Sequence, residues 1–205
     1  MTSQSGAAHF SPDNTVITPV RRAVQNKQDV LLTLDGVGQV LVRGALGECL
    51  AGPMNNLMKF CTVPVSHIRV AVLETDEATR QAAGQTGRNI DELLWTAAFH
   101  LSQGHLMEGC NTFDVVQFRH WPNLSRLPHT PNSMRIVAML TRHPTSIALA
   151  HRLLKIEAKE LYQVYSAARC AGLVRVVNGA VPEPVLKPHR NQTLLSSLMS
   201  KIVGL

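Results

Sequence analysis

Residues Leu149–Val174, LAHRLLKIEAKELYQVYSAARCAGLV, are the stretch from which the rest of the chain is read. A helix is expected from Glu157 to Ala171, with Gly172 supplying the terminating position. Leu161, Val164, Tyr165 and Ala168 fall at i, i+3, i+4 and i+7, the spacing of one buried face. Lys159, Tyr162, Gln163 and Ser166 repeat that spacing on another face, with Arg169 near its far end. These side chains are long, polar, basic or aromatic, which is the chemistry that meets phosphates and base edges.

Upstream, Thr145 or Ser146 is placed to cap a second helix, Ile147 to Leu154, with Leu149, Ala150, Leu153 and Leu154 inward. A tight corner at Lys155-Ile156 joins it to the third. A first helix is expected from Pro131 to about Arg142, with Thr130 as cap and Pro131 in the first helical position. It buries Ile136, Val137 and Leu140, and it stops because residue 143 precedes Pro144. Downstream, Leu173 to Val177 alternates like a strand. Asn178-Gly179 is a two-residue hairpin signal, and Ala180-Val181 is the expected return before Pro182 and Pro184.

This order, with Leu149-Ala150, an apolar corner and Gly172-Leu173-Val174 ahead of the wing, resembles the winged helix-turn-helix superfamily over about residues 130–181. The resemblance implies duplex DNA binding through the third helix, often as a dimer, or a protein-interaction module. On the first reading Lys159, Tyr162, Gln163, Ser166 and Arg169 face the groove. Arg135, Arg142, Arg152 and Lys155 meet phosphates, and Arg175 sits in the wing. Two features depart from the pattern. One extra residue separates Leu-Ala from Gly-Leu-Val, and the wing is short, with Arg175 its basic residue. Glu157 and Glu160, at the entrance of the third helix, oppose phosphate and favour the protein-docking alternative.

Charge is segregated in the same sense. Residues 1–118 hold 8 Lys and Arg against 11 Asp and Glu, a net of −3, while residues 119–205 hold 12 against 3, a net of +9. A basic half of this kind suits an anionic partner, nucleic acid being the commonest.

The N-terminal half reads as a small α/β unit, so the class expected for the whole chain is α+β. Val30, Leu32 and Leu34 alternate before the turn Asp35–Gly38, and Val40 and Val42 follow it. Met54–Cys61 suits a short helix, and His67–Leu73 alternates as the best strand in the chain. A helical turn is expected near 76–83. Asn89 is placed to cap a helix to about Ser102, with Leu93, Leu94, Ala97, Ala98 and Leu101 on one face, and Asp114–Phe118 suits another strand. The expected organisation is a flexible arm (1–28), an α/β sensor or interaction domain (29–120), a linker (121–130), the winged helix (131–185) and an amphipathic tail helix (186–205). The tail carries Leu195, Leu198, Met199 and Ile202 on one side, suited to a second protomer or to a protein partner.

No catalytic constellation stands out, so no enzyme activity and no cofactor are expected. Gly36, Gly38 and Gly44 lack the spacing of a dinucleotide fingerprint. His100, His105, Glu108, Cys110, Asp114 and His120 offer metal-ligand types without a metal-site spacing, so no metal is expected. Trp95, Phe99, Phe113, Phe118 and Trp121 read as core before they read as an effector pocket. The first 28 residues lack the pattern of a signal peptide, no apolar run is long enough to span a bilayer, and four cysteines show no C-x-x-C pair. A cytoplasmic regulator of transcription, free of membranes, is the reading these features favour, with a signalling adaptor as its alternative.

Overall fold

In the computed structural model, which describes residues 7–51 and 54–178, residues 7–28 of the stretch expected as a loose arm are built into the protein. A short strand β1 (His9–Phe10) precedes helix α1 (Ile17–Gln25). Val16, Ile17, Val20 and Ala23 are buried, an i, i+1, i+4, i+7 set on one side that draws the helix onto the protein. Pro19 does not prevent this, because it lies in the first turn, where backbone N–H groups lack helical partners.

The next elements form an antiparallel sheet. Strands β2 (Asp29–Leu34), β3 (Gly38–Arg43) and β4 (Glu48–Ala51) make a meander, followed by α2 (Met54–Thr62), a 3-10 turn at Val65–His67, β5 (Arg69–Leu73), α3 (Thr75–Ala82) and β6 (Arg88–Asn89). The strand order is β5-β2-β3-β4-β6. Alternation divides the sheet. Val30, Leu32, Val40 and Val42 enter the main core, whereas Leu41 and Leu50 join Ala78 of α3 in a small cluster on the other face. The turn from β3 to β4 needs glycine at Gly44, where a Cβ would lie 2.2 Å from the Ala23 carbonyl oxygen at the end of α1. The strand with the clearest alternation, β5, is the edge of the sheet, and its Val70 and Val72 are exposed.

Helix α4 (Ile90–Ser102) is the centre of the protein. Asn89 caps it, its Oδ1 accepting from the Asp91 N–H at 3.1 Å. The expected single apolar face is too narrow a reading, since every residue from Leu93 to Phe99 is buried. After β7 (Leu106–Met107), which pairs in parallel with β1, and β8 (Val115–Phe118) come α5 (Ser133–Arg142), β9 (Thr145–Ser146), α6 (Ile147–Leu154), α7 (Ala158–Cys170) and β10 (Val174–Val176). Three helices thus lie where their spacing predicts, in a chain whose class is α+β. The start of α5 differs. Thr130-Pro131 forms a turn ahead of it, because the Ser133 hydroxyl accepts the Thr130 N–H at 2.8 Å and Glu160 accepts the Asn132 N–H.

The expected separation of an N-terminal domain from a winged helix by a linker is not how the chain packs. One continuous core includes buried residues from Val16 to Val174. Residues 121–130 lie on α4, where the Trp95 indole N–H donates to the Pro128 carbonyl at 2.9 Å and Leu124 and Leu127 are buried. Strand β8, from the N-terminal side of that stretch, is the middle strand of the sheet β10-β8-β9. Asn178, expected to open a hairpin, holds this sheet. Its Oδ1 accepts the Val115 N–H and its Nδ2 donates to the Phe113 carbonyl, both at 2.9 Å. The return strand 180–181 and the tail helix 186–205 lie outside the described residues. No helix among the described residues is long and apolar enough to cross a membrane.

Truncating Ile17 to Ala should lower unfolding stability by about 2–5 kcal/mol, the usual cost of emptying a fully buried aliphatic site. Urea unfolding checks this, and a loss under about 0.5 kcal/mol, typical of surface substitutions, would return α1 to the status of an arm.

Candidate functional site

The face of α7 expected to enter a DNA groove is packed against the N-terminal half. Ser166 is 0% exposed, and its hydroxyl accepts the Met107 N–H at 2.9 Å and donates to the His105 carbonyl at 3.3 Å. The Gln163 amide donates to the Phe99 carbonyl at 2.9 Å, satisfying an acceptor in the last turn of α4. Tyr162 is half-buried against the core. Lys159 is exposed, but its stem covers Gly104, where an added Cβ would lie 2.8 Å from the Lys159 Cβ. Gly104, at φ +85° behind Gln103 at φ +45°, gives α4 a left-handed exit that lets α7 approach. The interior polar groups of this stripe are therefore paired within the protein. Arg169, beyond them, is exposed.

The expected phosphate-binding residues are exposed, although they do not act alike. Arg142, Arg152 and Lys155 are exposed side chains without hydrogen bonds to described residues. Arg135 is committed. Its guanidinium donates to Asn132 Oδ1 at 2.8 Å and to the Leu154 carbonyl at 2.9 Å, closing the C-terminal end of α6. Arg175 donates to Gln117 Oε1 across the β10–β8 pair. Glu160, expected to repel phosphate, is an internal acceptor, taking bonds from the Asn132 N–H at 3.3 Å and side-chain amide at 3.1 Å. Partial burial raises its pKa, and the bonds from Thr130 and Asn132, with Arg135 nearby, outweigh that and hold it below the ordinary value.

Helix α6 reverses the other expectation. Ser146 caps it, accepting the Leu149 N–H at 3.2 Å, and Lys155 at φ 52° ends it. Its inward residues are Ile147 and Ala150. Leu149 and Leu153, expected inside, are 41% and 60% exposed, one turn apart on the outer surface. Met134, at the end of α5 that Arg135 ties to α6, is 58% exposed. Leu149 and Leu153 thus form an exposed apolar pair on a helix that also carries the exposed Arg152 and ends at Lys155.

The remaining chemistry is structural. Burial pushes the thiols of Cys49 and Cys61 up to about 12, and those of Cys110 and Cys170 to about 11, so all four stay protonated near neutrality. Trp95, Phe99 and Phe118 are buried, whereas Phe113 and Trp121 are exposed. Among the described residues, no three His, Cys, Asp or Glu side chains converge on one point. Comparison of the chain with protein-family models, with curated proteins and with solved structures found no match.

A carboxyl held below its ordinary value, about 4.3 for glutamate, stabilises the fold above that value and loses the contribution as pH falls through the lowered one. Glu160→Gln should therefore shrink the drop in stability between about pH 7 and about pH 3. Urea midpoints at the two pH values test it, and a drop equal to that of the unsubstituted protein would contradict the internal role of Glu160.

Proposed function

We propose that this chain is a regulatory protein with a C-terminal half of the winged-helix type that docks another protein, the adaptor reading of the sequence. One observation carries it. The polar stripe of α7 is turned inward while the leucines of α6 are turned outward. A helix that reads base edges needs free donors and acceptors, and the Gln163 amide nitrogen and the Ser166 hydroxyl are bonded to the backbone of residues 99–107. Exposed leucines beside arginines suit a protein surface. They supply the apolar centre and cationic rim of an interface. The matching partner is an acidic amphipathic segment, its apolar side chains on Leu149 and Leu153, its carboxylates toward Arg152 and Lys155.

A second reading keeps duplex DNA. Arg142, Arg152, Lys155, Lys159 and Arg169 are exposed in a half with a net charge of +9, which supports phosphate contact without base reading. Neither reading asks for catalysis. Four buried, unpaired thiols suit a reducing compartment, and we assign the protein to the cytoplasm on that basis.

Affinity purification of the full chain should recover one stoichiometric protein. The Leu149→Asp/Leu153→Asp pair should weaken its binding at least about tenfold, and Gln163→Ala should leave it intact. Fluorescence anisotropy with labelled duplexes should show binding that is steeply salt-dependent and indifferent to sequence, or none. Sequence-selective duplex binding abolished by Gln163→Ala would overturn the docking reading in favour of a DNA reader.

A further inference from the structure

A cleft of about 420 Å3 opens between β1, the turn at residues 111–113, α6 and α7. That volume falls in the range of small-molecule sites. Its walls are mixed. Phe113 and Ala148 supply apolar surface with the buried Leu106 behind them, and Phe113 is otherwise an aromatic side chain exposed without reason. Asn111, Thr112, His151, Arg152 and Tyr162 supply polar groups, and no carboxylate lines it among the described residues. The neighbouring Asp114 carboxylate is occupied, accepting the Tyr165 hydroxyl and the Asn111 N–H at 2.8 Å.

Two of the polar residues have unused capacity. The Nδ1 of His151 is buried with no hydrogen-bond partner among the described residues, which a protein interior tolerates rarely. The Arg152 guanidinium forms no hydrogen bond or ion pair with a described residue. His9, by contrast, spends its Nε2 on the Cys110 carbonyl at 3.0 Å. A cleft with an exposed guanidinium, hydroxyl and amide groups, and an aromatic wall is complementary to an anion on an apolar frame.

We propose that this cleft is a binding site for a small organic anion, a carboxylate or phosphate ester carried on an aromatic or aliphatic body. Arg152, with the polar groups of Thr112 and Tyr162, receives the anionic group, and Phe113 and Ala148 receive the body. The cleft adjoins the docking surface on α6: Ala148 and His151 face the cleft, Leu149 and Leu153 the exterior, and Arg152 borders both.

The test is a two-dimensional NMR titration of the full chain with benzoate, 1-naphthoate and phenyl phosphate, each beside a neutral amide or alcohol of the same body. At least one anion should saturate shifts at Thr112, His151 and Tyr162. Its neutral counterpart should bind more weakly, and Arg152→Ala, at an exposed position that leaves the fold intact, should weaken the anion at least about tenfold. The proposal is overturned if no anion saturates these shifts below about 10 mM, if the neutral compounds bind equally well, or if Arg152→Ala changes nothing.

Discussion

The packing of α7 on α4 is the interaction on which the rest of the structure depends. Trp95 of α4 and Leu161, Val164 and Tyr165 of α7 are almost wholly excluded from water. At about 1.5–3 kcal/mol for each large apolar side chain, this burial outweighs the cost of enclosing polar groups beside it, provided those groups are bonded. They are. Gln163 and Ser166 reach the backbone of residues 99–107, and Gly104 removes the side chain that would hold the two helices apart. Because α4 also carries α1, α2 and the five-stranded sheet, the expected two domains share a single core.

Much of this was legible as local pattern. The hairpin of β2 and β3, the helices α2 to α7 and the strand β8 follow from alternation, 3.6-residue spacing, caps and the His143-Pro144 stop. What local pattern does not carry is which polar face is wet. Lys159, Tyr162, Gln163 and Ser166 have the same spacing whether their partners are phosphates or the carbonyls of another helix, since those partners lie some 60 residues away in the chain. The same blindness hides the orientation of α6. Leu149 and Leu153 are as apolar as a core stripe, yet the short helix buries Ile147 and Ala150 instead.

Other differences have their own physical causes. Pro12, Pro19 and a run of polar residues make 1–28 read as an arm, while the Val16, Ile17, Val20 and Ala23 spacing within it was the signal of α1. The alternation in β5 predicts a half-buried strand, but an edge strand has a neighbour on one side only, and Val70 and Val72 remain exposed. For β5 the pattern identified the element and contacts distant in sequence decided its surroundings, whereas for 1–28 the arm reading missed the helix itself.

For function, the consequence is an exchange of roles between neighbouring helices. Helix α7, whose chemistry invites a partner outside the protein, is a structural element, and α6, whose leucines invite burial, presents the outer surface. On the proposed reading, charge and exposure on that surface suit a protein partner with apolar and acidic character.

Thiol labelling would test the inward orientation of α7 most directly. Ser166→Cys and Arg169→Cys, prepared separately, would be reacted with a chromogenic disulfide reagent under native conditions. The packing described here predicts that the thiol at 169 reacts at once, while that at 166 is as protected as the four buried native thiols. Equal and rapid labelling at both positions would contradict it, and would mean that the polar stripe of α7 faces solvent.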